Sequence, residues 1–103
     1  MAVTDKVFIP VSWAPNTITV GASSASVALT GLTKSEDAVR VFNGTTEVIY
    51  ISFTAGSGTA TTSSTPIGIG ATECFGIAPD VTHANAIGTG ATGIIYFSVG
   101  KGA

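Results

Sequence analysis

Few side chains in this chain are suited to chemistry, and those few are scattered. His83 is the single histidine and Cys74 the single cysteine. A metal centre or an acid–base pair built on His83 would need completion by carboxylates drawn from Asp5, Glu36, Asp37, Glu47, Glu73 and Asp80. None of these recurs at the spacing of an oxygen-ligand loop or of paired metal ligands. Cys74 follows Glu73 in an apolar run, with neither a second cysteine nor a basic neighbour to stabilise a thiolate, so it reads as a small core hydrophobe. No Gly-x-Ser-x-Gly elbow accompanies a serine triad. The string Gly88-Thr-Gly90-Ala-Thr-Gly93 matches a dinucleotide-binding glycine spacing. That motif needs a helix after it and an acid about 20 residues further on. Here a β-prone run follows and 10 residues remain, which predicts a turn between strands. Asn43-Gly44-Thr45 spells a glycosylation sequon but is better explained as a turn. The expectation is a protein that is not an enzyme, with no metal and no cofactor.

A second group of residues points to contact rather than catalysis. Only 10% of the chain is charged, against about a quarter in ordinary globular domains, and Gly, Ala, Ser and Thr make up about half. With a formal net charge of -2, such a surface does little to hold copies apart, so much of it is expected to lie against other subunits. Trp13, Phe42, Tyr50 and Tyr96 are the candidate contact residues, large apolar bodies of which three carry a polar tip. The basic residues Lys6, Lys34, Arg40 and Lys101 are spread along the sequence and form no footprint for a phosphate backbone; nucleic acid is not an expected partner. Gly, Ser or Thr interrupts every apolar stretch, so no membrane-spanning helix is expected. The start Met1-Ala-Val-Thr-Asp5-Lys6 lacks the features of a secretory signal, and a lone cysteine fits a reducing compartment.

The elements that must position these residues are strands. Helix formers are sparse, and β-branched residues cluster in runs of four to seven separated by Gly, Pro, Asn or Ser. Candidate strands are Val7 to Trp13, Thr17 to Val20, Ser26 to Thr30, Ala38 to Asn43, Glu47 to Thr54, a stretch within Ile67 to Ile77, another within Val81 to Ile87, and Gly93 to Val99. Seven or eight short strands predict an all-β, compact antiparallel β-sandwich, jelly-roll-like, in one domain over 1–103, with 1–15 either an extended N-terminal arm or a strand. An immunoglobulin-like order is the alternative, without a Cys-Trp-Cys pattern behind it. Asn43-Gly44 predicts a hairpin over about residues 38 to 54; with Asn43 and Gly44 as its two central residues Arg40 stands opposite Glu47, whereas a longer loop built on Gly44-Thr45-Thr46 shifts that register. Residues 55–65 lack apolar alternation and read as a long exposed loop or a polar edge strand. In two strands both faces are apolar: Ile49, Ile51 and Phe53 oppose Val48 and Tyr50, while Ile95, Phe97 and Val99 oppose Ile94 and Tyr96. A doubly apolar strand implies cover on its second side, by a loop or by another subunit.

Val39-Arg-Val-Phe-Asn43, the Ile/Tyr/Phe strand after it, Thr65-Pro66 leading to Cys74-Phe-Gly-Ile77, Pro79 before Val81-Thr-His83, and the closing Gly-Ile-Ile-Tyr-Phe-Ser-Val-Gly-Lys-Gly resemble small virion proteins of tailed bacteriophages, over about residues 38 to 102. The likeness is one of strand rhythm and composition. It implies a capsid decoration, or cement, protein: a small β-sandwich, commonly a homotrimer, that binds the major capsid protein shell and stabilises it. It further implies synthesis in a host bacterial cytoplasm and residence on the capsid surface of the virion. No catalytic residue is implied. The alternative reading is a receptor- or glycan-binding module of a phage head or tail fibre, using Trp13 and the hydroxyls of Thr59 to Thr65, or a structural component of a tail or neck.

Overall fold

The computed structural model describes residues 8–10, 15–34, 36–90 and 93–101. Short β-branched runs broken by glycine, proline and polar turns emerge as nine strands among the described residues. They are β1 (Ile9–Pro10), β2 (Asn16–Val20), β3 (Ala25–Ala28), β4 (Asp37–Asn43), β5 (Ile49–Thr54), β6 (Thr65–Ile67), β7 (Thr72–Gly76), β8 (His83–Ile87) and β9 (Gly93–Lys101). Every pairing is antiparallel. Sheet A runs β2-β9-β4-β7, with β1 prolonging the β2 edge along the far end of β9, and sheet B runs β3-β8-β5-β6. Apart from β5 to β6, each connection from β2 onward crosses to the other sheet. With β1 set aside as an extension of the β2 edge, this interleaving of two four-stranded sheets is the jelly roll that the strand rhythm predicts.

Period-two alternation supplies the core. Val39 and Val41 of β4 and Ile95, Phe97 and Val99 of β9 turn inward from sheet A, against Ile49 and Ile51 of β5, Ile67 of β6 and Ala84 and Ala86 of β8. Phe53 packs edge-on to Phe97, ring centroids 6.3 Å apart at 83°, and lies 5.6 Å from Phe75, so three aromatic rings fill the end where β7 faces β5. Each fully buried Ile or Phe contributes about 1.5–3 kcal/mol.

Two expectations fail in instructive ways. The hairpin over residues 38 to 54 does not form: β4 lies between β9 and β7 in sheet A, whereas β5 belongs to sheet B. Arg40 therefore stands opposite Ser98 and Cys74, not Glu47. The cause is Asn43, whose side chain is fully buried. Its Nδ2 donates to the carbonyls of Glu47 and Ile67, both at 2.9 Å, and its Oδ1 accepts from the Thr45 amide at 2.9 Å and the Thr45 hydroxyl at 2.6 Å. With both donors and both lone pairs used, Asn43 pins a corner that leads the chain out of sheet A. Burial also hides the sequon asparagine. Second, Cys74 is exposed rather than a core residue. Phe75 takes the inward position on β7 and pleating turns its neighbour out.

The stretch 55–64 forms a loop, the first of the two readings of that segment, and the three-residue edge strand β6 takes only Thr65 from it. The loop lies against sheet B around Asn85. Gly58 N donates to Asn85 Oδ1 at 3.1 Å, Ala60 N to Ser24 Oγ at 2.8 Å and Gly56 N to Thr82 Oγ1 at 2.7 Å. Beneath it Asn85, fully buried, donates to the hydroxyls of Ser52 and Thr54. Gly58 is required by proximity: a Cβ there would lie 2.6 Å from Thr54 Oγ1.

Candidate interaction surface

The outer face of sheet A follows from register. Where β2, β9, β4 and β7 lie side by side, Thr17, Tyr96, Phe42 and Thr72 form one row across all four strands. The next row in one direction holds Ser98, Arg40 and Cys74; in the other, Thr19 and Ile94. Phe42 keeps 41% of its surface exposed and Ile94 37%. Tyr96 is half-buried between them, its ring centroid 5.9 Å from that of Phe42 and tilted by 34°. Gly44 lies flush against the pair: its N–H donates to Ile94 O at 3.1 Å, and a Cβ on it would approach Tyr96 Cε1 to 2.9 Å. The result is a shallow apolar patch on a rigid sheet, rimmed by threonine hydroxyls.

Of the candidate contact residues, the structure brings together Phe42 and Tyr96. Tyr50 projects from the opposite side of the sandwich, on the outer face of sheet B between Ile87 and Pro66. Trp13 lies outside the described residues. Ile94 joins the patch although it was not singled out; its signal is the same doubly apolar alternation that marks Tyr96. The loop lies over Asn85, Ser52 and Thr54 of sheet B rather than over the doubly apolar stretch, where Val48 is exposed and Tyr50 half-buried, and Phe42 and Ile94 of sheet A stay exposed as well. At the far end of the same face Phe8 is buried, and the Arg40 guanidinium sits 4.6 Å from its ring centroid, a cation–π contact of about 0.5–1 kcal/mol.

The remaining polar residues are engaged in holding loops. Asp37 is buried at the start of β4. Its carboxylate accepts from Thr33 N at 3.1 Å on both oxygens, Thr33 Oγ1 at 2.8 Å, Lys34 N at 2.8 Å and Lys101 Nζ at 3.4 Å. Burial by itself pushes the Asp37 carboxyl up, but the donors from Thr33, Lys34 and Lys101 outweigh it and hold the group below its ordinary value. Lys34 and Glu36 adopt left-handed backbone, φ 66° and 53°, to wrap that carboxylate. Of the glycine-rich string after β8, the described residues 88–90 bend out of the strand and Gly93 opens β9, and Thr89 binds an anion from its own chain. Glu47 Oε1 accepts from Thr89 N at 2.5 Å and Thr89 Oγ1 at 2.7 Å, which lowers the Glu47 carboxyl below its usual range. His83 is half-buried, its Nδ1 2.8 Å from Thr82 Oγ1. In the 59–65 stretch, Thr61 and Ser64 hydroxyls accept from the loop's own amides. Among the described residues no three His, Cys, Asp or Glu side chains gather around a possible metal ion, and no helix is long and apolar enough to cross a membrane.

No protein-family model, curated protein or solved structure matches the chain.

Proposed function

We propose that this chain is a non-enzymatic structural protein of a virion, a decoration protein that binds the major capsid protein shell and stabilises it as a self-associating unit. The observation that carries the reading is the exposed Phe42–Tyr96–Ile94 patch, held on the rigid outer face of a jelly roll whose sequence is only 10% charged. Such a patch suits docking on a protein surface: rigid aromatic anchors lose little side-chain entropy, and threonines at the rim tolerate either water or a polar partner. A decoration protein needs no deep pocket. Binding only the assembled shell stabilises the shell by mass action, and symmetric repetition multiplies a weak contact. The test is occupancy. Wild-type protein is expected to co-sediment with shells of the phage that encodes it and to raise their unfolding temperature, and Phe42→Ser is expected to weaken that binding at least tenfold. Absence of the chain from purified virions, or occupancy indifferent to Phe42→Ser, overturns the proposal.

A second reading is favoured by the row Thr17–Tyr96–Phe42–Thr72, which sets two aromatic rings between hydroxyls in an arrangement that would suit a glycan. Glycan-array binding abolished by Phe42→Ala, together with no affinity for shells, would place the protein among receptor-binding modules instead.

A further inference from the structure

We infer that two copies of this chain pair edge to edge through β7 about a two-fold axis centred on Cys74, joining two A sheets into one. This goes beyond the decoration proposal and does not depend on it. The argument begins with where the β7 backbone points. Asn43 N donates to Ala71 O at 3.0 Å and Ile77 N to Asp37 O at 3.1 Å, so 71 and 77 direct their backbone groups toward β4. In an antiparallel ladder these groups alternate, and with the register Val41↔Glu73 and Val39↔Phe75 the same holds for Glu73 and Phe75. Thr72, Cys74 and Gly76 therefore aim their N–H and C=O groups away from sheet A. β7 is the end strand of that sheet, and Thr72, Glu73, Cys74 and Gly76 are all exposed. A free edge of this kind is a template for a further strand.

Register then selects the occupant. Hydrogen bonding between two β7 edges requires Thr72, Cys74 and Gly76 of one copy to face members of the same set in the other. If Thr72 faces the second copy's Cys74, Glu73 falls directly opposite Glu73, a like-charge pair that opposes association. If Cys74 faces Gly76, only the last residues of the strand overlap. Centring on Cys74 pairs the strand over its whole length: Thr72 with Gly76, Glu73 with Phe75, and Cys74 with Cys74, without a like-charge pair. A second copy of this chain is thus matched to the edge by its own sequence. In a hydrogen-bonded antiparallel pair the two Cys74 Cα atoms would be about 5.5 Å apart, within the roughly 4.4–6.8 Å that a disulfide spans. The two Phe42 patches would share one face of the joined sheet about 20 Å apart.

The experiment uses the full chain. Under reducing conditions, sedimentation equilibrium is expected to show a concentration-dependent species of two 10.2 kDa chains. Cys74→Pro removes an outward N–H and leaves the β4 ladder intact, so it is expected to weaken this species at least tenfold with the circular dichroism unchanged. Diamide, itself reduced to the hydrazine, oxidises two thiols to one disulfide and traps the pair. In a Cys74→Ser background, Thr72→Cys alone should cross-link at least tenfold more slowly than wild type. Mixing it with a Gly76→Cys, Cys74→Ser chain should restore the rate, which keeps the register testable if the proline variant does not fold. A monomer at all concentrations, or Thr72→Cys cross-linking alone as fast as wild type, overturns the inference. A three-chain particle without Cys74 cross-links overturns it too and leaves the decoration proposal standing. Two-chain particles absent from virions do the reverse.

Discussion

Asn43 shows how much one side chain decides here. Its amide bonds reach Thr45, Glu47 and Ile67, the last of them 24 residues away, so removing it strands several buried backbone groups at once. Asn43→Ala is expected to cost about 2–4 kcal/mol in urea unfolding. Asn43→Asp should cost more at neutral pH, because a buried carboxylate would face two carbonyls it cannot donate to. Its deficit should shrink on acidification as the carboxyl regains a proton to donate. Asp37 has the opposite dependence. Its folded-state acidity is strengthened relative to the ordinary value of 3.8, so its contribution is complete above that value and is lost as pH falls through the lowered folded-state value. Denaturation midpoints measured from about pH 6 to pH 2 should therefore show a shallower acid decline in Asp37→Asn than in wild type.

At the scale of elements, connections carry as much of the structure as strands. The corner after β4 and the turn after β8 meet at one end of the sandwich, where Glu47 holds Thr89 and Gly44 bonds Ile94. Gly88 permits that meeting: a Cβ there would stand 2.9 Å from Glu47 Oε1 and 3.0 Å from both Ile49 Cδ1 and Val20 Cγ1. The carboxylate could yield, but Ile49 and Val20 are fully buried and closely packed. Gly88→Ala is expected to lower stability by about 1–3 kcal/mol, read from the thermal midpoint, while Gly90→Ala, where a Cβ meets nothing within 4 Å, should be far milder.

For the whole molecule, the outer face of sheet A separates stability from assembly. Phe42 is 41% exposed and contributes mainly its contact with Tyr96. Phe42→Ser should therefore change the unfolding free energy of the isolated chain by only about 1 kcal/mol. Its effect on shell binding, at least tenfold, should be disproportionate, because exposed aromatic anchors dominate interface energies. Calorimetry of the free chain beside co-sedimentation with shells would show the two effects apart. Equal losses in both would mean that the ring is structural.

Much of this architecture is legible in the chain itself, because strand alternation, turn residues and a shortage of charge are local or compositional properties. They locate β2 to β5 and β7 to β9, exclude a helix after Gly93, and mark Ile94 and Tyr96 as sharing a face turned from the core. Partner choice was not legible. An Asn-Gly step looks like a hairpin turn until Asn43 meets Ile67, a contact that exists only after β6 has folded back. Likewise Cys74 could have been either inward or outward until Phe75 packed against Phe53 and set the pleat of β7. Local chemistry determines which residues extend and where they bend; which sheet they join, and what the second face meets, depends on contacts between distant segments that close only in three dimensions.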